Sequence, residues 1–219
     1  SVSAGRFDQY IYPYFERNTQ QRGITTDLAE EVLHCLWIKF NEVNKLRDQV
    51  SSTAFAGYPM YQNLILGGVT ADAKDAANRL SYLCMEATEK VGLPQPSLSV
   101  RWHRATENGF LRRACEVSSY GMGLPAFFND ETLIPIMLAQ GYDIKEARDY
   151  AIVGCVEPTV PGISEPWLTG GFLNLPKILE LTINNGFDPI YNKQRAYQTG
   201  DVETFTTFEQ FATAFVAQL

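Results

Sequence analysis

Residues 150–162 read YAIVGCVEPTVPG. A short apolar run ends at Gly154, a thiol follows at Cys155, a carboxylate stands two residues on at Glu157, and Pro158 comes next. In an extended segment residues i and i+2 point the same way. The spacing therefore predicts that Cys155 and Glu157 face one cavity, with Val156 turned into the packing behind. A carboxylate taken out of water is costly unless paired, and desolvation raises its pKa. Glu157 is thus a candidate general acid or base. The plainer alternative is that it caps a following turn or pairs with a surface arginine.

Three chemistries compete for Cys155. A thiolate nucleophile needs an activating base, usually histidine, and an oxyanion hole. The histidines are His34 and His103, and a neighbouring carboxylate opposes ionisation of the thiol. A metal ligand needs partners, and Cys35, Cys84, Cys115 and Cys155 form no C-x-x-C pair, so no metal is expected. Hydrogen-atom abstraction by sulfur needs neither thiolate nor histidine, only a dry, closed pocket. Gly154, Pro158, Pro161 and Gly162 set Cys155 apart from the other cysteines, which are expected to be small buried hydrophobes.

The elements that must hold this loop are legible as alternating helices and short strands. Residues 27–49 read as a helix with Asp27 and Glu30 at capping-box spacing, and Thr70 to Val91 as a second, with Ala73, Ala77, Leu80, Cys84, Ala87 and Val91 on one stripe and Gly92 as its stop. SLSVRWH (97–103) alternates like a strand, 107–120 reads as a helix and PAFF (125–128) as a strand. Asp130 is placed to cap a helix through Gln140, and Asp143 with Glu146 to open a short one leading into YAIVG. Pro176 to Asn185 reads as a helix closed by Gly186, and the last residues as another. The pattern predicts an α/β domain with a buried, mostly parallel sheet or barrel, its chemistry at strand ends near GYPMYQN, SVRWH, GMGLPAFFND and VGCVEP.

With 219 residues, 45% hydrophobic and 20% charged, the chain suffices for one large domain or two small ones. A net charge of −7 argues against nucleic-acid binding through phosphates. No run approaches the roughly 20 apolar residues of a membrane span, and no signal-peptide pattern opens the chain, so a cytoplasmic place is the default. The aromatic-rich start and the helical finish read as parts of something longer.

Six ordered stretches, GRFDQYIYPY, LHCLWIKFNE, GYPMYQNLILGG, PSLSVRWH, GMGLPAFFND and YAIVGCVEP, together resemble the central part of a glycyl radical enzyme. The likeness is to the branch holding glycerol and diol dehydratases, choline trimethylamine-lyase and hydroxyproline dehydratase. It implies a ten-stranded α/β barrel of two half-barrels surrounded by helices, with residues 1–219 a central fragment lacking the N-terminal half and the C-terminal radical-glycine domain. Cys155 matches the cysteine that becomes a thiyl radical on a loop inside the barrel, and Glu157 the base that takes a proton from the neighbouring hydroxyl. Water, an amine or a sulfur group then leaves, with dehydration (a carbon–oxygen lyase) the expected subtype.

The resemblance also implies a pocket. Ser1 matches the serine of a His-Ser pair, and Tyr61 a pocket aromatic. Leu168 and Thr169 follow Trp167 where diol dehydratases carry His-Asp, so LTGGFLNLPKILELTINNG is closer to hydroxyproline dehydratases, and Phe172 stands where the choline enzyme has tyrosine. Gly154 replaces the second cysteine of pyruvate formate-lyase, which argues against acyl transfer. The R-V-x-G-Y pattern of the stored radical is absent from these residues, so this segment binds no cofactor of its own. The implied partners are a small hydroxylated substrate, an activating enzyme using S-adenosylmethionine and an iron–sulfur cluster, and a second full-length copy in a homodimer, with neither nucleic acid nor membrane. Oxygen-free use in the cytoplasm, inside or outside a bacterial microcompartment, follows from the same likeness. The competing readings are a radical decarboxylase or other carbon–carbon lyase, a non-catalytic partial subunit and a thiolate hydrolase.

Overall fold

Parallel strands cannot be joined by tight turns, so each must be followed by a crossover, usually a helix. The computed structural model, which describes residues 3–43, 48–54, 61–164 and 173–219, has this form in its larger unit, Ser1–Leu168. Helices α1 (Phe7–Tyr10), α2 (Tyr12–Gln21), α3 (Thr26–Glu42) and α4 (Gln49–Ala54) come first. Then β1 (Asn63–Gly67), α5 (Arg79–Val91), β2 (Ser97–Trp102), α6 (Asn108–Ser119), β3 (Ala126–Asn129) and α7 (Asp130–Ala139) alternate. The sheet order is β1-β2-β3, all parallel, with Leu64 beside Leu98 and Val100 beside Phe127. Among the described residues nothing pairs with the far side of β3. The α/β expectation holds, and these residues form a three-stranded sheet rather than a closed barrel.

The strand period of two sorts side chains between two cores. Leu64, Leu66, Leu98 and Val100 pack with Phe7, Trp37, Leu80 and Cys84 from α1, α3 and α5. Ile65 faces the other way, onto Met137 of α7, Ala147 of α8 (Ile144–Arg148), and Tyr150, Ala151 and Ile152. The last two belong to β4 (Ala151–Val153), which forms an antiparallel hairpin with β5 (Glu157–Thr159). Because β2 is covered on both faces, the alternation in SLSVRWH marks no solvent face. Ser99 and Arg101 are as buried as Leu98 and Val100.

Caps override stripes. The apolar pattern from Thr70 suggests one long helix, but α5 starts only at Arg79. The Asn78 side chain accepts the Leu80 and Ser81 N–H groups while the Ser81 hydroxyl accepts from Asn78 N–H, a reciprocal cap that fixes the start. Upstream the chain turns sharply, with Ala73 at φ 63°. On α3 the cap is Thr25, which accepts from Leu28 N–H, rather than an Asp27–Glu30 box. That helix stops at Glu42, and the predicted continuation crosses residues 44–47, outside those described. Asn129, not Asp130, caps α7, because the Asp130 carboxylate is turned inward to Arg101. The Asp143–Glu146 cap of α8 forms as the spacing predicts.

The cysteine expectation holds for Cys84 alone, since Cys35 and Cys115 are exposed. The buried positions of α3 are Leu33 and Trp37, and Cys35 lies between them on the opposite side of the turn. On α6, Phe110, Ala114 and Val117 take the inner face.

The second unit, Thr169–Leu219, contains α9 (Leu175–Ile183), a small antiparallel pair β6 (Phe187–Asp188) and β7 (Lys193–Gln194), and α10 (Phe208–Gln218). Thr207 and Gln210 cap α10 reciprocally.

Asp8 is fully buried, its Oδ2 accepting from Gly67 N–H at 2.8 Å and from the Ser81 hydroxyl at 2.5 Å. Burial pushes this carboxyl up, against those hydrogen bonds and Arg6. A carboxyl raised in the folded state contributes stability at low pH and loses it as pH climbs through its folded pKa. Asp8→Asn keeps an oxygen for both donors and does not ionise. Its melting midpoint relative to wild type is expected to rise as pH climbs above the ordinary carboxylate range, and parallel curves would remove the assignment.

Candidate active site

The hairpin register pairs Ala151 with Thr159, Ile152 with Pro158 and Val153 with Glu157, leaving residues 154–156 as the apex. Gly154 opens the turn at φ +64°, a left-handed conformation that L side chains rarely adopt. A Cβ there would also lie 2.9 Å from Glu157 Oε2. That carboxylate folds back over the turn and accepts Val156 N–H at 2.9 Å. The turn that Glu157 ties together is the one before it, not a following turn as the sequence alternative has it.

Cys155 stands exposed at the tip. Partial covering pushes its thiol pKa up, the Glu157 carboxylate pushes it further, and a hydrogen bond with the Tyr61 side chain pulls the other way. Cys155, Glu157 and Tyr61 are thus brought together. Two expectations need correction. Cys155 and Glu157 are neighbours because a turn and a folded-back carboxylate join them, not because they share one face of an extended strand. Val156 is 66% exposed instead of packed behind, since it sits in that turn. The described residues leave the apex open rather than enclosed. Ser1, Leu168, Thr169 and Phe172 lie outside the described residues.

The apex lies at the end of the sheet where GYPMYQN leads into β1. Asn63, the first residue of β1, donates its Nδ2 to Ser99 Oγ at 2.8 Å and, in a long contact of 3.4 Å, to the Gly154 carbonyl. His103 follows the opposite end of β2, where its Nε2 is 3.4 Å from Asp75. It is not placed to serve as a base for Cys155. Asn63 was not singled out from the sequence, although a polar residue at the head of an apolar strand was the available signal.

With ionisation opposed, Cys155 is expected to be alkylated by iodoacetamide at neutral pH no faster than exposed Cys35 and Cys115, and to accelerate at alkaline pH. Peptide mass spectrometry of timed samples reads this. A selective burst at Cys155 at neutral pH would instead mark an activated thiolate.

A hairpin that presents a thiol with raised pKa beside a carboxylate is poorly suited to a thiolate nucleophile. The sequence pattern of the pyruvate formate lyase-like family matches residues 1–219, and the chain belongs to that family. Trans-4-hydroxy-L-proline dehydratase of Clostridioides difficile is 38% identical over 220 residues, covering 100% of this chain and 28% of that protein. The glycerol-bound B12-independent glycerol dehydratase from Clostridium butyricum is 49% identical, with a TM-score of 0.88 over 99% of this chain and 27% of its own. A glycyl radical enzyme from Archaeoglobus fulgidus gives 30% identity and a TM-score of 0.84, covering 99% and 28%. The chain thus spans little more than a quarter of the length of these relatives. No helix among the described residues is long and apolar enough to cross a membrane.

Proposed function

We propose that these residues carry the hydrogen-abstracting cysteine and the base of a glycyl radical lyase that dehydrates a small hydroxylated compound. The observation that carries this reading is the apex itself, where the Cys155 thiol, its pKa raised, and the Glu157 carboxylate meet on one strand–turn–strand hairpin, with the Tyr61 side chain hydrogen-bonded to the sulfur. Raised pKa keeps sulfur as S–H, the form that hydrogen-atom exchange uses.

A glycyl radical, held on a segment beyond these residues and installed by an S-adenosylmethionine-dependent iron–sulfur activase, would take the hydrogen atom of the Cys155 S–H, forming glycine C–H and leaving the radical on sulfur. The Cys155 sulfur then takes a hydrogen atom from the substrate carbon that bears a hydroxyl, forming S–H and breaking C–H. Glu157 accepts the proton of that hydroxyl. The electron density released expels the hydroxyl of the adjacent carbon, which leaves as water with the proton returned from Glu157. The product radical recovers a hydrogen atom from Cys155, restoring the sulfur radical. A vicinal diol becomes a carbonyl compound and water, and nothing is oxidised or reduced overall.

The rest of the assembly belongs to the same proposal. Residues 1–219 form the central fragment of a ten-stranded barrel, other strands close over the apex, and Ser1, Tyr61, Leu168, Thr169 and Phe172 shape the pocket. The full-length protein acts as a homodimer in the cytoplasm, free or within a microcompartment. Overall identity favours a diol, 49% to the glycerol dehydratase against 38% to the hydroxyproline enzyme, while the Leu168–Thr169 pattern favours the latter. The full-length protein, activated without oxygen, should convert glycerol, 1,2-propanediol or trans-4-hydroxy-L-proline to a dehydrated product seen by NMR. Activated protein that carries its radical and dehydrates none of the three would overturn the dehydratase reading.

A further inference from the structure

Five of the sequence stretches meet at one buried point that the proposed chemistry does not use. Arg101, from SVRWH, is fully buried in β2 and forms a bidentate pair with Asp130, from FFND, with Nε 2.8 Å from Oδ1 and Nη2 3.0 Å from Oδ2. Its remaining donors reach the chain just ahead of the hairpin: Nη1 to the Tyr150 carbonyl at 2.8 Å and Nη2 to the Arg148 carbonyl at 2.9 Å. The guanidinium lies 3.9 Å from the centre of the Tyr150 ring, and the Tyr150 hydroxyl donates to Asp130 Oδ1 at 2.7 Å. Arg6, from GRFDQY, approaches from the far side. It donates to the same Arg148 carbonyl at 3.2 Å, to Asp149 at 2.9 Å and to the Gly67 and Val69 carbonyls at 3.2 and 2.9 Å. Gly68, from NLILGG, makes the room, since a Cβ there would overlap the Arg101 guanidinium.

Burying two cations is a poor way to gain stability, because desolvation offsets the attraction. What a buried guanidinium supplies is direction, through a planar fork of five donors that only one arrangement of acceptors satisfies. Here the acceptors are the end of α8 and the residue that begins the run into β4. The arginines therefore join the sheet to the root of the hairpin whose tip is Cys155.

We propose that Arg101 and Asp130 are positioning residues, a buried clamp that sets the angle at which the hairpin leaves the sheet and so where the Cys155 sulfur stands. The functional consequence rests on the radical-lyase reading above; the placement does not. The test is hydrogen exchange by mass spectrometry on full-length Arg101→Lys and, as a milder change that keeps the ring under the guanidinium, Tyr150→Phe. Amides of residues 151–159 should exchange about tenfold faster or more while those of β2 stay within about twofold, because the hairpin opens locally. In the activated protein kcat should fall about 100-fold for Arg101→Lys, with KM and radical content little changed, as expected for a misplaced reacting atom. Hairpin exchange that stays at the wild-type rate in both variants, or rises only in step with β2, overturns the clamp. Local loss of protection in a protein whose Cys155→Ser variant still turns over would retain the clamp and discard the catalytic reading.

Discussion

Cys155→Ser in the full-length, activated protein is expected to lose turnover by about 10⁴-fold or more, the scale on which removing a covalent participant acts. A serine hydroxyl is nearly the same size and fits the exposed apex, so the hairpin should keep its shape. The difference is chemical. An O–H bond is much stronger than S–H, so an oxygen-centred radical is not formed at this position, and the substrate C–H bond stays intact. The glycyl radical itself should still be installed, because its glycine and its activase lie beyond these residues in the proposed scheme. Electron paramagnetic resonance and product analysis on the same sample separate the two effects. Substantial turnover by the serine variant would end the assignment of Cys155.

Gly154→Ala should have the next largest effect, and for a reason the geometry makes specific. The position has φ +64°, where an L side chain costs about 1–2 kcal/mol. The new Cβ also meets Glu157 Oε2 at 2.9 Å, a crowding that adds about 1–3 kcal/mol unless the carboxylate moves. If the carboxylate moves, it leaves Val156 N–H and the place from which it would accept the substrate proton. Either way turnover should fall by about 100-fold. A double-mutant cycle isolates the cause. In a Glu157→Ala background only the backbone strain remains, so the two substitutions should be coupled by about 1 kcal/mol in denaturant unfolding. Strict additivity would show that Gly154 serves the turn alone and has no part in placing Glu157.

Much of this could be read from the residues, but unevenly. The nearness of Cys155 and Glu157 follows from GCVEP, and the α5 stop at Gly92 and the α8 cap at Asp143 and Glu146 are local chemistry that forms as expected. The geometry of the apex was not legible, because one glycine before a cysteine has no periodicity and its positive φ becomes apparent only once β4 and β5 pair. The start of α5 was misplaced since an apolar stripe runs on through residues where Asn78 sets the boundary. Arg101 was not singled out in the alternating SLSVRWH strand. Its partners Asp130 and Tyr150 are distant in sequence, and only packing reveals that the charge is internal. The pocket residues apart from Tyr61 rest on resemblance alone.

The outer flank of β3 has a practical consequence. Its four residues, Ala126–Asn129, present backbone donors and acceptors with no neighbour among the described residues, and Phe127 on it is 39% exposed. Such a border accepts any extended peptide that arrives, including another molecule of the same kind. Produced separately, this stretch is expected to self-associate through that border, which light scattering over a concentration series would show.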